Sequence, residues 1–252
     1  MTLVQFGTRV LIYKKTITTM IFLTAHKPFQ CPEFVDNSNY TIITDGTDIG
    51  LQYPTKVIKA SNELAPLKYT YSEGFQIYDV WNNNPNYEWI GINHYRRYFQ
   101  PDDEFNKINI LPKPMQFNVQ IQYAACHNIE DYDEIINIVN TYYPEMNTNL
   151  PDLFFPCNCC IITHDIFNQW CDFIFNCTFI YNERHHLYSD DDVAHFVNSK
   201  SKNGQYQNRL HGFLLERLST IFFLNYFKDK PTELRCKDLI MYDVPYHQQN
   251  VK

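Results

Sequence analysis

Short apolar runs, each closed by polar or turn-forming residues, recur along the chain and predict buried β-strands. The first run ends at the segment HKPF, and the second ends at Asp45 and Gly46, a pair typical of turns. Prolines close the fourth run, as expected where a strand ends. The predicted strands are MIFLTA (20–25), YTIIT (40–44), YEWIGIN (87–93), INILPKP (108–114) and CCIIT (159–163).

Segments with apolar residues at helical spacing alternate with these runs and predict amphipathic helices. Ser72 and Glu73 suit the start of the first helix, because a hydroxyl caps free N–H groups and a carboxylate complements the helix dipole. A polar stretch, residues 182–209, separates the last helix from the one before it. The predicted helices cover residues 72–82, residue 128 to before Pro144, the segment after residue 163, and residues 212–227.

The alternation of short strands and helices implies an α/β fold, an αβα sandwich with a mostly parallel central sheet. With 252 residues, 44% of them hydrophobic, the chain has material for one substantial core. We expect a single domain over residues 20–252, preceded by an extension, residues 1–19, whose role the sequence does not define. Ligands of such sheets bind beyond the carboxyl ends of the strands.

The charge balance and the cysteines narrow the classes of protein further. A formal net charge of −7 gives no general attraction to nucleic acid or to an anionic membrane. The 8 cysteines are too few for a disulfide scaffold in a chain of 252 residues, which favours a reducing cytoplasm. The N-terminal segment does not have the form of a secretory signal, and no run reaches the roughly 18 apolar residues that a spanning helix needs.

The third predicted strand ends in the densest cationic cluster of the sequence, His94-Tyr95-Arg96-Arg97. On an extended backbone, His94 and Arg96 project to one side and Tyr95 and Arg97 to the other, with same-side neighbours about 6.5 Å apart. Guanidinium groups bind phosphate oxygens in a bidentate way and stack on aromatic rings, so a diphosphate is the expected ligand. The alternative is that the arginines form structural ion pairs with Glu73, Asp102 or Asp103.

Several segments, in order between Met20 and Phe227, resemble a bacterial glycosyltransferase family of capsule, exopolysaccharide and O-antigen gene clusters, long described only as a domain of unknown function. These segments are LTAHKPF, YSEGFQIYDVW, EWIGINHYRRYF, ILPKP, CNCCIITHDIFNQWCDFIF and RLHGFLLERL. HYRRYF and GFLLERL together are the most specific part of the resemblance. The resemblance implies a GT-A-like fold of the nucleotide-diphospho-sugar transferase type and a nucleotide-sugar donor, and the family includes galactofuranosyltransferases.

The function that the resemblance implies is transfer of a hexose, with galactofuranose as one candidate, from a UDP-sugar to a surface-polysaccharide acceptor. That acceptor is a glycan or a lipid-linked glycan, and nucleic acid is not an expected partner. The expected location is the cytoplasm, and peripheral attachment to the inner membrane surface stays open. Two alternatives remain: a non-catalytic sugar-nucleotide or glycan-binding module, and a metal or redox protein built on Cys157 to Cys177 and His185.

The resemblance also assigns roles at the end of the third strand. Many GT-A enzymes have an Asp-x-Asp element there, which holds a divalent metal against the diphosphate, whereas this chain has Asn93-His94-Tyr95-Arg96-Arg97. We therefore expect Arg96 and Arg97 to stabilise the departing diphosphate without a required metal, although Mn²⁺ or Mg²⁺ stays open. His94 is expected to donate to a phosphate or a sugar hydroxyl, unless it is a structural histidine.

Further donor-side residues come from the first strand and the first helix. Thr24, His26 and Lys27 are expected beside the ribose or base, and Tyr95 is expected to stack within the same site. Glu73 matches a glutamate of the family pattern and is expected to orient an arginine or bind the sugar. Each of these residues also has a purely structural interpretation. Thr24, His26 and Lys27 would mark the end of a strand, and Glu73 would stabilise a helix start.

The candidate general base is Glu216 on the last helix, because an inverting transfer needs a carboxylate to take the proton of the acceptor hydroxyl. Inversion itself is implied by the family. Glu216 has an alternative role as ion partner of Arg209 or Arg217. Asn158, Arg209 and Asp191 are expected on the acceptor side.

The run SDDDV, residues 189–193, is a rival source of a base or of metal ligands, with His185 and His186 just upstream. The favoured interpretation is structural: the run is the start of a solvent-exposed helix. Cys157, Cys159 and Cys160 lack the spacing of a structural zinc site and are expected to be buried thiols.

Overall fold

The computed structural model of the protein describes residues 18–36, 39–50, 53–83, 85–200 and 204–241. The strands are β1 (Thr19–Ala25), β2 (Tyr40–Thr44), β3 (Lys56–Lys59), β4 (Trp89–His94), β5 (Arg97–Tyr98), β6 (Asn109–Pro112), β7 (Met115–Gln116), β8 (Leu153–Phe154), β9 (Cys160–Thr163), β10 (Leu234–Lys237) and β11 (Ile240–Met241). The α-helices are α1 (Lys68–Tyr71), α2 (Glu73–Asn82), α3 (Val119–Cys126), α4 (Ile129–Tyr142), α5 (His164–His185), α6 (Asp190–Lys200) and α7 (Leu210–Phe227).

The predicted extension, residues 1–19, lies outside the described residues except for its last two, and Thr19 is already the first residue of β1. The single domain over residues 20–252 stays a prediction, since residues 242–252 also lie outside the described part. No helix in the described ranges combines the length and the apolar character needed to cross a membrane.

The main sheet has the strand order β3-β2-β1-β4-β9-β6-β10, with β5 and β11 attached beside β4. The pairs β1–β2, β2–β3 and β1–β4 are parallel, whereas β9 is antiparallel to both of its neighbours. This mixed but mostly parallel arrangement confirms the predicted α/β class. Because β1 and β4 are parallel neighbours in register, with Thr24 opposite His94, their carboxyl ends meet at one edge of the sheet.

Both faces of the sheet are buried, as the continuous apolar runs predict. On one face Phe22 packs into a core to which all the described α-helices longer than one turn contribute. On the other face Ile21 lies in a second core, which Val35 of a short 3₁₀ helix and the loop residues Phe99 and Phe105 complete. The α-helical layer among the described residues is therefore one-sided, and the second layer consists of loops and 3₁₀ structure.

The helix α2 is fixed against the carboxyl ends of the central strands by a buried amide. Gln76 donates through Nε2 to the carbonyl oxygens of Ala25 (2.8 Å) and Ile43 (3.2 Å). Helices α2 and α7 also approach closely at Gly74, where an added Cβ would lie 2.2 Å from Cδ1 of Leu215. Glycine permits this approach, which brings the first turn of α2 beside α7.

Two local predictions need correction. The stretch 182–209, predicted as a polar separator, contains the end of α5, all of α6 and a 3₁₀ helix at Gly204–Arg209. Ser72 does precede the first predicted helix, but its side chain makes no capping hydrogen bond and instead accepts one from Arg209. Polar composition did not distinguish a half-exposed helix from a loop in this stretch.

Candidate active site

The His94-Tyr95-Arg96-Arg97 segment is a tight reversal and not the extended strand end that was predicted. Strand β4 ends at His94, β5 begins at Arg97, and these two residues pair in an antiparallel register. The chain turns at Tyr95 and Arg96, and the returning strand pairs with β11. The alternation of side chains inferred from an extended backbone is therefore wrong across this turn.

Arg96 and Arg97 pair with no carboxylate among the described residues. Arg97 donates from Nη1 to the sulfur of Cys157 (3.2 Å), a weak acceptor. The guanidinium of Arg96 lies 5.2 Å from the ring centroid of Tyr95, and its Nε is buried without a partner in the described chain. Both guanidinium charges are left without an anionic partner in the described chain.

The carboxylates that the structural alternative assigned to these arginines have other cationic partners. Glu73 lies 3.6 Å from Nη2 of Arg209. Asp103 pairs with Lys107, with 3.1 Å between Oδ2 and Nζ, and Asp102 pairs with Lys237. Arg96 and Arg97 therefore do not form the structural ion pairs with Glu73, Asp102 or Asp103 that the alternative interpretation assigned to them.

Two histidines lie inside the cationic cluster and are neutral. Burial, reinforced by Arg209, Lys27 and Arg96 and partly opposed by Asp45, lowers the pKa of His26 to about 4. Burial and then the neighbouring Arg96 hold the pKa of His94 well below its usual range. Burial and the charge of Arg96 also lower the pKa of Lys27. Burial is the main cause of all three shifts, and the neighbouring positive charges add to it, as at a site where cations lie close together.

The hydrogen bonding of His94 fixes its tautomer. The backbone N–H of Arg96 donates to Nδ1 of His94 (3.2 Å), so the ring proton resides on Nε2. His94 is only 6% exposed. The arrangement leaves Nε2–H as the donor that the sequence prediction requires.

Thr24 and Tyr95 support the site from the interior. The hydroxyl of Thr24 donates to the carbonyl oxygen of Asn93 (3.2 Å), and both Thr24 and Tyr95 are 2% exposed. The hydroxyl of Tyr95 lies 3.4 Å from Nε2 of His26, whose ring meets the tyrosine ring edge-on. Thr24 therefore offers almost no side-chain surface for a ribose or base, in contrast to His26 and Lys27, which are partly exposed.

The carboxylate of Glu73 faces this cluster from the first turn of α2. It is buried, and its Oε1 accepts from Nδ2 of Asn158 (3.4 Å). Burial and then the nearby charge of Glu216 raise the pKa of Glu73. Glu73 thus does contact an arginine, but this arginine is Arg209.

Glu216 on α7 is held by two donors. Its Oε1 accepts from the backbone N–H of Cys157 (2.8 Å), and its Oε2 accepts from Nη1 of Arg217 (3.0 Å). The Cys157 N–H reaches it because Cys157 and Asn158 adopt positive φ angles of 71° and 51°, which form a sharp turn before β9. The side chain of Glu216 is 21% exposed, so solvent reaches part of the carboxylate.

Asn158 belongs to the framework of the site. It is 3% exposed, and its Oδ1 accepts from the hydroxyl of Ser219 on α7 (2.8 Å) while its Nδ2 donates to Glu73. The hydroxyl of Ser219 in turn accepts from Nε1 of Trp170 (2.9 Å). The prediction placed Asn158 on the acceptor side, but its amide is committed to fixing Glu73 relative to α7.

The SDDDV run is the start of a helix, as favoured from the sequence. Asp190 accepts from the backbone N–H of Thr70 (3.0 Å), which fixes α6 to α1. Oγ of Ser189 accepts from the backbone N–H of Asp192 (3.2 Å), and Oδ2 of Asp192 accepts from the Ser189 hydroxyl (2.9 Å) and from the backbone N–H of Tyr188 (3.0 Å), an arrangement similar to a capping box. Asp191 is exposed and makes no hydrogen bond or ion pair with a described residue, so nothing draws it into the site with the other candidates.

The cysteine and metal alternatives find no support in the described chain. The cysteines are free, and burial raises the pKa of Cys157 to about 12. Across the described ranges, His, Cys, Asp and Glu side chains form no group of three or more that could hold a metal ion.

A pocket of about 340 Å³ opens on the side of Arg97 where β11 runs. Arg97 and Cys157 line it together with Met115, Leu239 and Met241. This pocket was not predicted from the sequence, because the strands β10 and β11 were not predicted. Arg97 thus borders both the cationic cluster and an apolar pocket.

Comparisons with known proteins show the fold and the family of the chain. No curated protein matches the chain. The apo structure of the bifunctional glycosyltransferase WbbM is similar with a TM-score of 0.64 and 20% sequence identity, over 88% of this chain and 45% of that one. The chain thus spans less than half the length of WbbM, and the similarity shows that it has a GT-A-like fold. The model of a domain of unknown function, DUF4422, matches residues 20–112 and 106–228, and the chain therefore belongs to the DUF4422 family.

Proposed function

We propose that the protein is a glycosyltransferase that moves a hexose from a UDP-sugar to a surface-polysaccharide acceptor. One observation carries the proposal: Arg96 and Arg97 lie at the carboxyl ends of the central strands without a carboxylate partner among the described residues. This edge is where α/β sheets bind ligands, and guanidinium groups match the oxygens of a diphosphate. The fold shared with a bifunctional glycosyltransferase supports the reaction class.

In the proposed reaction, the acceptor hydroxyl attacks the anomeric carbon while the bond to the diphosphate oxygen breaks. The bonding electrons leave with UDP, and Arg96 and Arg97 stabilise the negative charge that develops there. Nε2–H of His94 donates to the same group or to a sugar hydroxyl. Glu216 takes the proton of the acceptor hydroxyl through a lone pair that its two protein donors leave unused.

A divalent metal, as used by many GT-A enzymes, does not fit the residues at the end of β4. The position of the usual acidic element holds Asn93, His94 and Tyr95, and the amide of Asn93 is fully buried. The residues that follow are cationic and would repel a metal ion. No step of the proposed reaction is therefore routed through a metal.

The finer assignments rest on the family resemblance. Galactofuranose is one candidate for the transferred hexose, and the acceptor is a glycan or lipid-linked glycan of the cytoplasmic side of the membrane. We place this acceptor at the pocket beside Arg97, because that pocket adjoins the proposed diphosphate site and has an apolar wall.

A non-catalytic sugar-nucleotide-binding module is the second candidate. The observation in its favour is that both oxygens of Glu216 already accept hydrogen bonds from the protein, as a structural carboxylate would. Both candidates predict UDP binding, but only the enzyme transfers or hydrolyses the sugar. Product formation from a panel of nucleotide sugars, chosen by thermal stabilisation, separates them.

The arginine assignment is tested with Arg96→Lys and Arg97→Lys, each measured by UDP titration calorimetry. Charge-assisted bonds to guanidinium contribute about 1.5–3 kcal/mol each, so we expect affinity losses of roughly tenfold to a hundredfold although the charge is kept. Arg235→Lys is the matched control, because Arg235 is an exposed arginine on β10. UDP affinity that is the same in both test variants and the control would refute the assignment.

A further inference from the structure

Ser72, between α1 and α2, has a backbone conformation that favours glycine. Its φ is 53° and its ψ is −129°. Side chains disfavour this region, and a residue held there typically costs about 1–3 kcal/mol. A serine at a position that favours glycine indicates that its side chain has a role that glycine could not fill.

The surrounding structure fixes this strained turn from two sides. Asp190 accepts from the backbone N–H groups of Tyr69 (3.3 Å) and Thr70 (3.0 Å). The hydroxyl of Thr70 lies 2.8 Å from Nδ1 of His211, a fully buried residue of α7. The turn that carries Ser72 is therefore tied to both α6 and α7.

The next residue of α7, Gly212, leaves room for the serine side chain. A Cβ added at Gly212 would lie 3.2 Å from Oγ and 3.3 Å from Cβ of Ser72, which is tighter than an ordinary contact. The strained serine and the glycine that faces it are thus fitted to each other.

The hydroxyl of Ser72 holds an arginine of the candidate site. Nε of Arg209 donates to Oγ of Ser72 (2.7 Å), and Nη2 of Arg209 lies 3.6 Å from Oε2 of Glu73. The side chain of Arg209 remains 36% exposed. Adjacent residues of one turn therefore fix the guanidinium through two of its nitrogens.

A short chain of contacts joins Arg209 to Arg97. Glu73, the carboxylate partner of Arg209, accepts from Nδ2 of Asn158 (3.4 Å), and the neighbouring Cys157 accepts from Nη1 of Arg97 (3.2 Å). The charge of Arg209 also contributes, after burial, to the lowered pKa of His26 and of His94. Arg209 was expected on the acceptor side, but these contacts place it beside the residues at the ends of β1 and β4.

We propose that Arg209 is a third guanidinium of the nucleoside-diphosphate site and that Ser72 is the positioning residue that holds it there. In its strained conformation, Ser72 presents its hydroxyl to Nε of Arg209. The inference rests on the proposed donor site, and it adds a phosphate ligand from a different part of the chain.

Two substitutions separate the backbone of Ser72 from its hydroxyl. Ser72→Ala removes the hydroxyl and keeps the strain, whereas Ser72→Gly removes the hydroxyl and relieves the strain. We expect the glycine variant to melt at a higher temperature than the alanine variant. We expect both to bind UDP roughly fivefold more weakly than the parent chain, which corresponds to the loss of one hydrogen bond of about 1 kcal/mol.

If the hydroxyl served the fold alone, UDP affinity would recover along with the melting temperature in Ser72→Gly, and that recovery would overturn the proposal. Arg209→Gln supplies the second readout, because in that background Ser72→Ala has nothing left to position and should change UDP affinity no further. An additional loss in the double variant would also count against the positioning role.

The same titrations distinguish this inference from the proposed function. Weaker UDP binding in Arg96→Lys and Arg97→Lys with unchanged binding in the Ser72 and Arg209 variants keeps the donor site and overturns the third guanidinium. Weaker binding in the Ser72 and Arg209 variants alone supports the third guanidinium and removes the assignment of Arg96 and Arg97. Absence of binding of both UDP and pyrophosphate to the parent chain overturns both.

Discussion

Replacing Glu216 with glutamine should change both the stability and the chemistry of the protein. Arg217 is 3% exposed, and Glu216 supplies its carboxylate at 3.0 Å. Arg217 keeps uncharged acceptors, Gln122 at 2.6 Å and the Phe213 carbonyl at 3.1 Å, and lies about 5 Å from the rings of Tyr123 (5.1 Å) and Phe154 (4.9 Å). The substitution therefore leaves a buried cation without a counter-charge.

The size of the effect follows from this geometry. Breaking a fully buried ion pair costs about 3–5 kcal/mol, but the carboxylate is 21% exposed and Arg217 keeps other partners. We therefore expect Glu216→Gln to lower the free energy of unfolding by about 2 kcal/mol. At about 2–4 °C per kcal/mol for a chain of this size, the melting temperature should fall by roughly 4–8 °C.

A loss of transfer in Glu216→Gln would therefore be ambiguous by itself, and the double variant Glu216→Gln with Arg217→Met resolves it. Removing both charges replaces the pair by neutral groups, so stability should recover relative to the single variant. If Glu216 is the base, transfer stays absent in the double variant although UDP still binds. Glu233→Gln, on an exposed carboxylate, is the control for loss of one negative charge.

The assays are urea unfolding, UDP titration and product formation measured on the same preparations. Transfer that returns in the double variant together with its stability would show that Glu216 supports the fold and that the base lies elsewhere. An unchanged free energy of unfolding in the single variant would show that Arg217 tolerates burial without a carboxylate. That result would refute the expected loss of about 2 kcal/mol.

Two further predictions concern packing and pH. Gly74→Ala should destabilise the protein by about 1–3 kcal/mol in urea unfolding, because its Cβ would overlap Leu215; an unchanged midpoint would show that α2 and α7 can separate freely. The pKa values of His26 and His127 are lowered to about 4, chiefly by burial, so their imidazole NMR signals should titrate below pH 5. In the unfolded chain these histidines take up protons near pH 6.5, whereas in the folded protein they stay neutral down to about pH 4. The stability contributed by burying them in the neutral form is therefore present above about pH 6.5 and is lost as the pH falls toward 4. Titration of both rings near pH 6.5 would contradict their burial.

The sheet and the edge where β1 and β4 end could be predicted from the sequence because buried strands leave a local signal. Tyr40–Thr44 was predicted with its observed bounds, since five consecutive apolar or β-branched residues are followed by a turn pair. β3 (Lys56–Lys59) was missed, because an edge strand with lysines at both ends lacks that signal. Parallel neighbours then place the ends of β1 and β4 together without further information.

The reversal at Tyr95 and Arg96 left no comparable signal. Neither residue is typical of a two-residue turn, which usually contains glycine or asparagine. The returning strand β5 is only two residues long and pairs with β11, near the end of the described chain. Such a turn depends on tertiary pairing, so a local pattern could not distinguish it from a strand that continues.

The choice of ion partners was equally beyond the sequence, and it decides how charge is distributed in the site. Each helix carboxylate lies beside an arginine of the last helical region: Glu73 beside Arg209 and Glu216 beside Arg217. Glu73 and Glu216 thus form their ion pairs with those arginines, and neither lies within ion-pair distance of Arg96 or Arg97. Had either carboxylate turned toward Arg97, the same residues would have formed a closed ionic network with no capacity for a diphosphate. The proposed anion binding at this edge thus depends as much on the positions of Arg209, just before α7, and of Arg217, within α7, as on the cationic segment itself.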